Sequence, residues 1–217
     1  SDLPPDAQGM VEFFVRRVDG GAFTTHVHSH HLVGQKAQVQ GPLGQFWLRE
    51  SDAPALLVAA GSGLAPVLAM LHALQAQGSA RSVTVLFGAR TQADLYGMGT
   101  LQAMADTWAG PFRLVKVLSQ APEDGTWAGA RGRVTDHLAA LVEPGMHAYL
   151  CGPPAMVDAA SAQLVQAGLA KAHLHADRFL TQKDAQALAN NVDKATENVA
   201  KPATPTHWLV GLWQIGR

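Results

Sequence analysis

The chain has 217 residues, of which 47% are hydrophobic and 15% charged, so it can bury a sizeable core. Its formal net charge of −1 excludes the strongly basic balance typical of nucleic-acid-binding domains. The single cysteine, Cys151, excludes an intrachain disulfide and a metal site built from several thiolates of this chain.

The first 50 residues have the pattern of β-structure. Met10–Val18 is rich in Val and Phe and ends at a Gly-Gly turn signal. Val33–Leu48 alternates around Val39 and contains a Gly-Pro turn. Phe23–His31 between them predicts no more than a short turn. The N-terminal part is therefore predicted to be all-β.

From residue 55 onward, short apolar strands alternate with helical patterns. The predicted strands are Ala55–Ala60, Ser82–Gly88, Phe112–Leu118, His147–Cys151 and Ala172–Phe179. The predicted helices are Pro66–Gln77, Gly99–Trp108, Val134–Leu141 and Pro154–Gly168. This alternation predicts an α/β fold with a parallel sheet and helices on both faces.

A glycine-rich turn joins the first of these strands to its helix. Its residues are Gly61, Ser62, Gly63, Leu64, Ala65 and Pro66. Glycines let a ligand approach the backbone closely, and the N–H groups at a helix start suit a pyrophosphate. Pro66 is compatible with a first helical turn because it needs no hydrogen bond there. A side chain at Gly63 is expected to fill the space of the pyrophosphate; the alternative is a tight turn without a ligand.

A second turn of the same kind follows the strand that ends at Cys151, where Gly152, Pro153 and Pro154 open the next helix. Open parallel sheets bind ligands at the carboxyl ends of their strands. We therefore expect the strand ends at Ala60 and Cys151 to lie side by side and form one cleft. The alternative for Cys151 is a small buried hydrophobic residue.

Five motifs occur in the order "GPLGQFWL", "GSGLAP", "LFGARTQADLY", "YLCGPPAMV" and "HADRF". Together they resemble the ferredoxin–NADP reductase superfamily, in particular the NADH-dependent reductase components of bacterial ring-hydroxylating dioxygenases and multicomponent monooxygenases. The resemblance covers Gly9 to about Leu180. It implies part of an antiparallel β-barrel that binds FAD at residues 1–51 and a parallel-sheet NAD(P)H-binding domain at 52–180. Residues 181–217 form an extension of unknown role.

The family's Arg-x-Tyr-Ser flavin motif is not present in this sequence. We therefore expect an N-terminally truncated chain, with any [2Fe–2S] cluster on a missing domain or on a partner. The remaining flavin-binding residues that the resemblance implies are Phe14, Val15, Arg16, Gly21, Thr24 and Phe179. Phe14, Val15 and Arg16 would lie along the isoalloxazine and the pyrophosphate, whereas Gly21 and Thr24 would open a short helix onto the phosphates. An ordinary strand and turn, with Phe179 in the core, is the alternative.

For the nicotinamide cofactor, the resemblance implies that Gly61 to Pro66 cradle the pyrophosphate. Gly88, Ala89, Arg90 and Asp94 would border the adenosine, and Cys151, Gly152 and Pro153 would place the nicotinamide beside the flavin. Cys151 and Thr24 are the candidate catalytic residues, Cys151 by orienting the nicotinamide ring rather than as a nucleophile. Arg90 has no second clear cation nearby and Asp94 is acidic, which favours NADH over NADPH.

The resemblance implies an electron-transfer enzyme that passes a hydride from NADH to FAD and then single electrons to an oxygenase or ferredoxin. The alternatives are another flavin reductase built on the same two domains, a nucleotide-binding regulatory module without flavin, and an inactive fragment. The histidines between His26 and His31 are interpreted as a polar surface segment rather than a metal site. Because the N-terminus shows no signal peptide and the longest apolar run is broken by glycines, we expect a cytoplasmic protein without a membrane span.

Overall fold

The computed structural model describes residues 11–39 and 44–180. The predicted extension at 181–217 lies outside the described residues, as do Met10 and the Gly41-Pro42 turn.

Six parallel strands form the sheet at the centre of the fold. They are β1 (Ala55–Ala60), β2 (Val83–Ala89), β3 (Phe112–Leu118), β4 (Ala130–Arg131), β5 (His147–Gly152) and β6 (Leu174–Arg178). Their order across the sheet is β4-β3-β2-β1-β5-β6. The α-helices are α1 (Ala22–Ser29), α2 (Leu64–Ala76), α3 (Met98–Thr107) and α4 (Pro154–Gln166). The predicted parallel α/β sheet is therefore confirmed.

Alternate side chains of β1 enter two separate cores, one on each face of the sheet. Leu57 and Ala59 pack with residues of α2 and α3. Leu56 and Val58 pack with residues of α4 and of the segment 134–141. This double burial explains why β1 is a continuous apolar run in the sequence, as is typical of a central parallel strand.

Most predicted elements agree with the structure to within two residues, and the differences have local causes. Helix α2 begins at Leu64, so Pro66 is its third residue, still in the first turn, where a missing N–H is tolerated. Val134–Leu141 forms two short 3₁₀ helices rather than one helix. Lys171–His173 is also a 3₁₀ helix, which delays the start of β6. The two-residue β4 was not predicted.

The N-terminal part differs from the all-β prediction. Residues 22–29 form a helix, and the described parts of Met10–Val18 and Val33–Leu48 form no strand. A strand requires a backbone partner, and these segments instead make side-chain contacts with the parallel sheet. The Phe14 ring lies 5.3 Å from that of Tyr96, and the Phe46 ring 6.4 Å from that of Tyr149.

Candidate functional site

The two glycine turns lie at the ends of neighbouring strands. β1 pairs with β5 in parallel, with Ala59 opposite Cys151. From β1 the chain proceeds to β2, β3 and β4 on one side of the sheet, and β5 and β6 lie on the other side. A cleft between β1 and β5 is thus at the point where the strand order reverses, the usual ligand position in such sheets. The prediction that these two strand ends lie side by side is confirmed.

The helix that follows β1 starts with the glycines themselves. Gly61–Gly63 forms a 3₁₀ helix that leads directly into α2. The first N–H groups of a helix have no partner within it, so those of Gly61, Ser62 and Gly63 are the ones available to a ligand. The next N–H group, that of Leu64, is bonded to the Gly61 and Ser62 carbonyls. Leu64, Ala65 and Pro66 are buried. Gly63 is buried as well, whereas Gly61 and Ser62 are partly exposed, so the exposed part of the predicted cradle is Gly61 and Ser62.

Gly63 and Gly152 bring the two turns into backbone contact. A Cβ at Gly63 would overlap the Cys151 carbonyl oxygen and lie 2.5 Å from its carbonyl carbon. A Cβ at Gly152 would lie 3.2 Å from the Ala60 carbonyl oxygen and 2.6 Å from Met156 Cε. This corrects the expectation for Gly63, because a side chain there meets the backbone of β5 before it meets any ligand.

Arg16 lies against the β1 turn. Its Nη1 is 3.3 Å from the position that a Cβ on Gly61 would take, and its charge lowers the pKa of Asp94. Gly61 has the left-handed backbone conformation, with φ of 55°. A guanidinium therefore stands beside the start of a helix, where both the side chain and the helix dipole favour an anion.

Cys151 is completely buried, on the face of the sheet that carries Tyr149 and packs against α2. Burial raises the pKa of its thiol, and the carboxylate of Asp177 raises it further. The thiol therefore remains protonated at neutral pH, which agrees with its interpretation as a residue that is not a nucleophile. Because Cys151 has no exposed surface, a ligand ring can touch the thiol only after the covering side chains have moved.

Tyr96 is a residue of this site that the sequence analysis missed. Its hydroxyl donates a hydrogen bond of 2.8 Å to the Gly61 carbonyl oxygen. Its ring contacts those of Phe14 and Phe87, with centroids 5.3 Å and 5.7 Å away. Burial is the main cause of its raised pKa, and the nearby Cys151 raises it further. The available signal was the aromatic residue that ends the "LFGARTQADLY" motif, from which only Gly88, Ala89, Arg90 and Asp94 were assigned a role.

The predicted adenosine residues separate into two groups. Gly88 is buried, and a Cβ there would overlap Val134 Cγ1, so packing accounts for this glycine. Arg90 and Asp94 are exposed. The Asp94 carboxylate accepts hydrogen bonds from the Thr91 hydroxyl (2.8 Å) and backbone N–H (3.0 Å), and these lower its pKa. Asp94 is therefore an anion at neutral pH.

Thr24 stabilises its own turn. Its hydroxyl accepts a bond from the Val18 N–H (3.1 Å) and lies 3.3 Å from the Gly21 carbonyl oxygen. A Cβ at Gly21 would lie 2.6 Å from the Thr24 hydroxyl, which accounts for that glycine. Val15 is half-buried and its carbonyl accepts a 3.0 Å bond from His28.

Phe179 follows the last strand, β6. Its N–H donates a 3.0 Å bond to the Gly152 carbonyl oxygen, so its half-buried ring is anchored beside the second turn. Pro153, at the start of α4, is exposed at the same end of the sheet. These two residues therefore both lie beside the second glycine turn.

The histidine segment is tied to the N-terminal helix. His30 donates a 2.9 Å bond to the His26 carbonyl, and their rings stack with centroids 4.2 Å apart. Within residues 11–39 and 44–180, no group of three His, Cys, Asp or Glu side chains is arranged to hold a metal ion. In the same ranges, no helix has both the length and the apolar character needed to cross a bilayer.

The sequence matches two protein-family profiles. Residues 57–162 match the family described as "Oxidoreductase NAD-binding domain", and residues 3–47 match "Oxidoreductase FAD-binding domain".

The relatives in sequence are components of oxygenase systems. The chain is 40% identical over 177 residues to the xylene/toluene monooxygenase electron transfer component XylA of Pseudomonas putida, which covers 81% of this chain and 51% of the relative. It is 38% identical over 185 residues to the reductase component DmpP of phenol 2-monooxygenase from Pseudomonas sp. CF600. This match covers 83% of this chain and 52% of the relative. The chain spans about half the length of these relatives.

Solved structures with the same fold include two reductases. The Amycolatopsis cytochrome P450 reductase GcoB superimposes with a TM-score of 0.63 at 33% identity, over 76% of this chain and 50% of that one. The ferredoxin reductase in carbazole 1,9a-dioxygenase gives a TM-score of 0.60 at 25% identity, again over 76% and 50%.

Proposed function

The chain belongs to the oxidoreductases that combine an FAD-binding with an NAD-binding domain, and on this premise we propose that it transfers electrons from NADH through FAD to an oxygenase or ferredoxin. The observation that supports this most directly is the cleft between β1 and β5. There the helix start at Gly61 and the second turn at Gly152 adjoin, and the cation of Arg16 stands beside them. A dinucleotide needs this combination, because its pyrophosphate requires an anion site and its nicotinamide ring requires space next to that site.

The N–H groups of Ser62 and Gly63 and the guanidinium of Arg16 bind the pyrophosphate of the nicotinamide cofactor. Helix N–H groups and a guanidinium are matched to phosphate oxygens in both charge and hydrogen-bond geometry. The guanidinium of Arg16 is the group that the sequence analysis assigned to the flavin, and its position beside Gly61 favours this second role. Loss of its charge is therefore expected to weaken NADH binding.

Gly152, Pro153 and the protonated Cys151 thiol are the residues that would hold the nicotinamide ring. Bound FAD supplies the chemistry, because it accepts a hydride from the nicotinamide and releases electrons one at a time. The side chains of this chain hold the two rings at the short distance that transfer requires, and Phe14 and Phe179 exclude water from the contact. Access to the buried thiol requires the aromatic side chains around it to move.

The residues assigned to FAD fit a phosphate-bearing ligand. Helix α1 begins after Gly21, so the N–H groups of Ala22, Phe23 and Thr24 occupy its first turn, and no acidic residue lies there. Phe14 and Val15 are only half-buried, which leaves apolar surface for a ring system. In this arrangement, Thr24 contributes its backbone N–H while its hydroxyl keeps the turn closed.

NADH is preferred to NADPH because Asp94 is anionic and exposed beside Arg90. A 2′-phosphate near this carboxylate would be repelled, whereas a ribose hydroxyl could donate to it.

The electron acceptor is an oxygenase or a ferredoxin of the kind served by the relatives. An iron–sulfur cluster that receives the electrons lies outside this chain, since one cysteine cannot supply its thiolate ligands.

The test is reduction of ferricyanide by NADH, with the full chain supplied with FAD. The expected result is a yellow protein with flavin absorbance whose activity requires both FAD and NADH and is lower with NADPH. A chain that binds NADH but no flavin would contradict the proposal and favour the regulatory module instead. A chain that binds neither would favour the inactive fragment.

A further inference from the structure

Tyr96 connects three separate parts of the candidate site. Its hydroxyl donates to the Gly61 carbonyl at 2.8 Å, its ring packs on Phe14, and its edge packs on Phe87 of β2. The hydroxyl thus lies at the first carbonyl of the helix that starts at Gly61.

The bond to Gly61 fixes the orientation of one peptide unit. In a planar trans peptide, the carbonyl of one residue and the N–H of the next point in opposite directions. Holding the Gly61 carbonyl toward Tyr96 therefore directs the Ser62 N–H away from Tyr96. Gly61 has no Cβ and its φ is 55°, so this peptide has few steric barriers to rotation unless a partner holds it.

The Leu64 N–H is a weaker restraint on the same carbonyl, because it is shared between the carbonyl oxygens of Gly61 and Ser62. Among the hydrogen bonds of the described residues, the Tyr96 hydroxyl donates only to the Gly61 carbonyl oxygen. The Tyr96 hydroxyl therefore adds a side-chain restraint on the orientation of the Gly61–Ser62 peptide to the shared backbone bond from Leu64.

We propose that Tyr96 is a positioning residue for the dinucleotide, which turns the Ser62 N–H toward the pyrophosphate. This inference rests on the proposed function and deepens it by assigning the orientation of the phosphate-binding peptide to one hydroxyl group. It predicts that loss of this hydroxyl weakens binding of ligands that contain the pyrophosphate and leaves binding of the nucleoside unchanged.

Tyr96→Phe tests this, because it keeps both ring contacts and removes only the hydroxyl. Tyr149→Phe is the matched control: the Tyr149 hydroxyl also bonds a backbone group, the Arg49 N–H at 2.9 Å, but lies away from the turns. Dissociation constants for ADP-ribose and adenosine are measured by calorimetry or NMR titration for the wild-type chain and both variants. The ¹⁵N-resolved signal of the Ser62 amide is followed during the ADP-ribose titration.

The expected result is an ADP-ribose dissociation constant about fivefold higher for Tyr96→Phe, corresponding to one net hydrogen bond, with adenosine unaffected. Tyr149→Phe is expected to bind both as the wild type does. The Ser62 amide shift on ADP-ribose addition is expected to shrink in Tyr96→Phe only.

Equal ADP-ribose affinity in Tyr96→Phe and wild type, or an equal loss for adenosine, would overturn the inference while leaving the proposed function standing. A wild-type chain that does not bind ADP-ribose would overturn both.

Discussion

Gly63→Ala is the substitution that most directly tests how the two turns are built. The added Cβ would overlap the Cys151 carbonyl oxygen, with 2.5 Å to the carbonyl carbon and 3.0 Å to the Gly152 nitrogen. All three atoms are backbone atoms at the end of β5, so no side chain can rotate away. Gly63 itself has an ordinary helical conformation, with φ of −61° and ψ of −9°, so only the lack of space requires glycine here.

The cost is that of overpacking a buried contact, about 1–3 kcal/mol. For a chain of this size, each kcal/mol lowers the melting temperature by about 2–4 °C, so we expect a decrease of roughly 2–12 °C. Gly99→Ala is the matched control, since a Cβ at Gly99, on the exposed side of α3, meets nothing within 4 Å. It is expected to raise stability by about 0.5–1 kcal/mol, because alanine favours a helix.

Thermal unfolding of both variants, followed by circular dichroism, is compared with ADP-ribose titrations of the same samples. If Gly63→Ala melts with the wild type yet loses ADP-ribose affinity, the glycine makes room for the ligand and the packing argument is wrong. If Gly63→Ala changes neither the melting temperature nor the ADP-ribose affinity, the contact between the two turns is not as close as described.

Three further predictions concern individual side chains. Cys151, the single cysteine, is expected to resist alkylation by iodoacetamide in the folded chain and to react in urea, as measured by mass spectrometry. Cys151→Ala should slow hydride transfer and change NADH affinity only a few-fold. An unchanged rate of hydride transfer would contradict the role assigned to Cys151. Burial and the nearby Arg49 lower the pKa of His175 to about 4, so the stability that its neutral form contributes is present above pH 6.5 and is lost as the pH falls toward 4. The urea midpoint should therefore decrease when the pH is lowered from 7 to 5. His175→Gln should reduce the accompanying loss in the free energy of unfolding by up to about 1 kcal/mol after allowance for solvent screening. Asp94→Asn should raise the ratio of kcat/KM for NADPH to that for NADH several-fold, since it removes a charge that repels a 2′-phosphate and weakens the bond to the ribose hydroxyl of NADH. An unchanged ratio would refute this assignment.

The sheet could be predicted from the sequence because its central strands are buried on both faces. Phe112–Leu118 was predicted with its exact bounds, and Ala55–Ala60 likewise. The two-residue β4 carries no periodic signal. The N-terminal strands were predicted from composition, alternation and turn signals, but whether an apolar segment pairs depends on partners that local sequence does not reveal.

The location of the site was predictable, but several reasons for its residues were not. The glycine turns could be located because glycine and proline follow buried strands. The closeness of Gly63 to Cys151, and of Gly88 to Val134, depends on how distant segments pack. Arg16 was assigned to the flavin from its motif, and only the folded chain brings its guanidinium to Gly61. The role of Tyr96 required the same three-dimensional information.

The position of β1 between β2 and β5 has a consequence for biosynthesis. Ala55 pairs with Val83, which follows 28 residues later, but also with His147, which follows 92 residues later. On the ribosome, β1 to β3 can associate while one side of β1, the most apolar strand, still lacks its neighbour. Such an open edge readily pairs with other nascent chains, so we expect this interval of translation to be the one most dependent on chaperones. The dinucleotide cleft comes into existence only when β5 emerges and closes that edge.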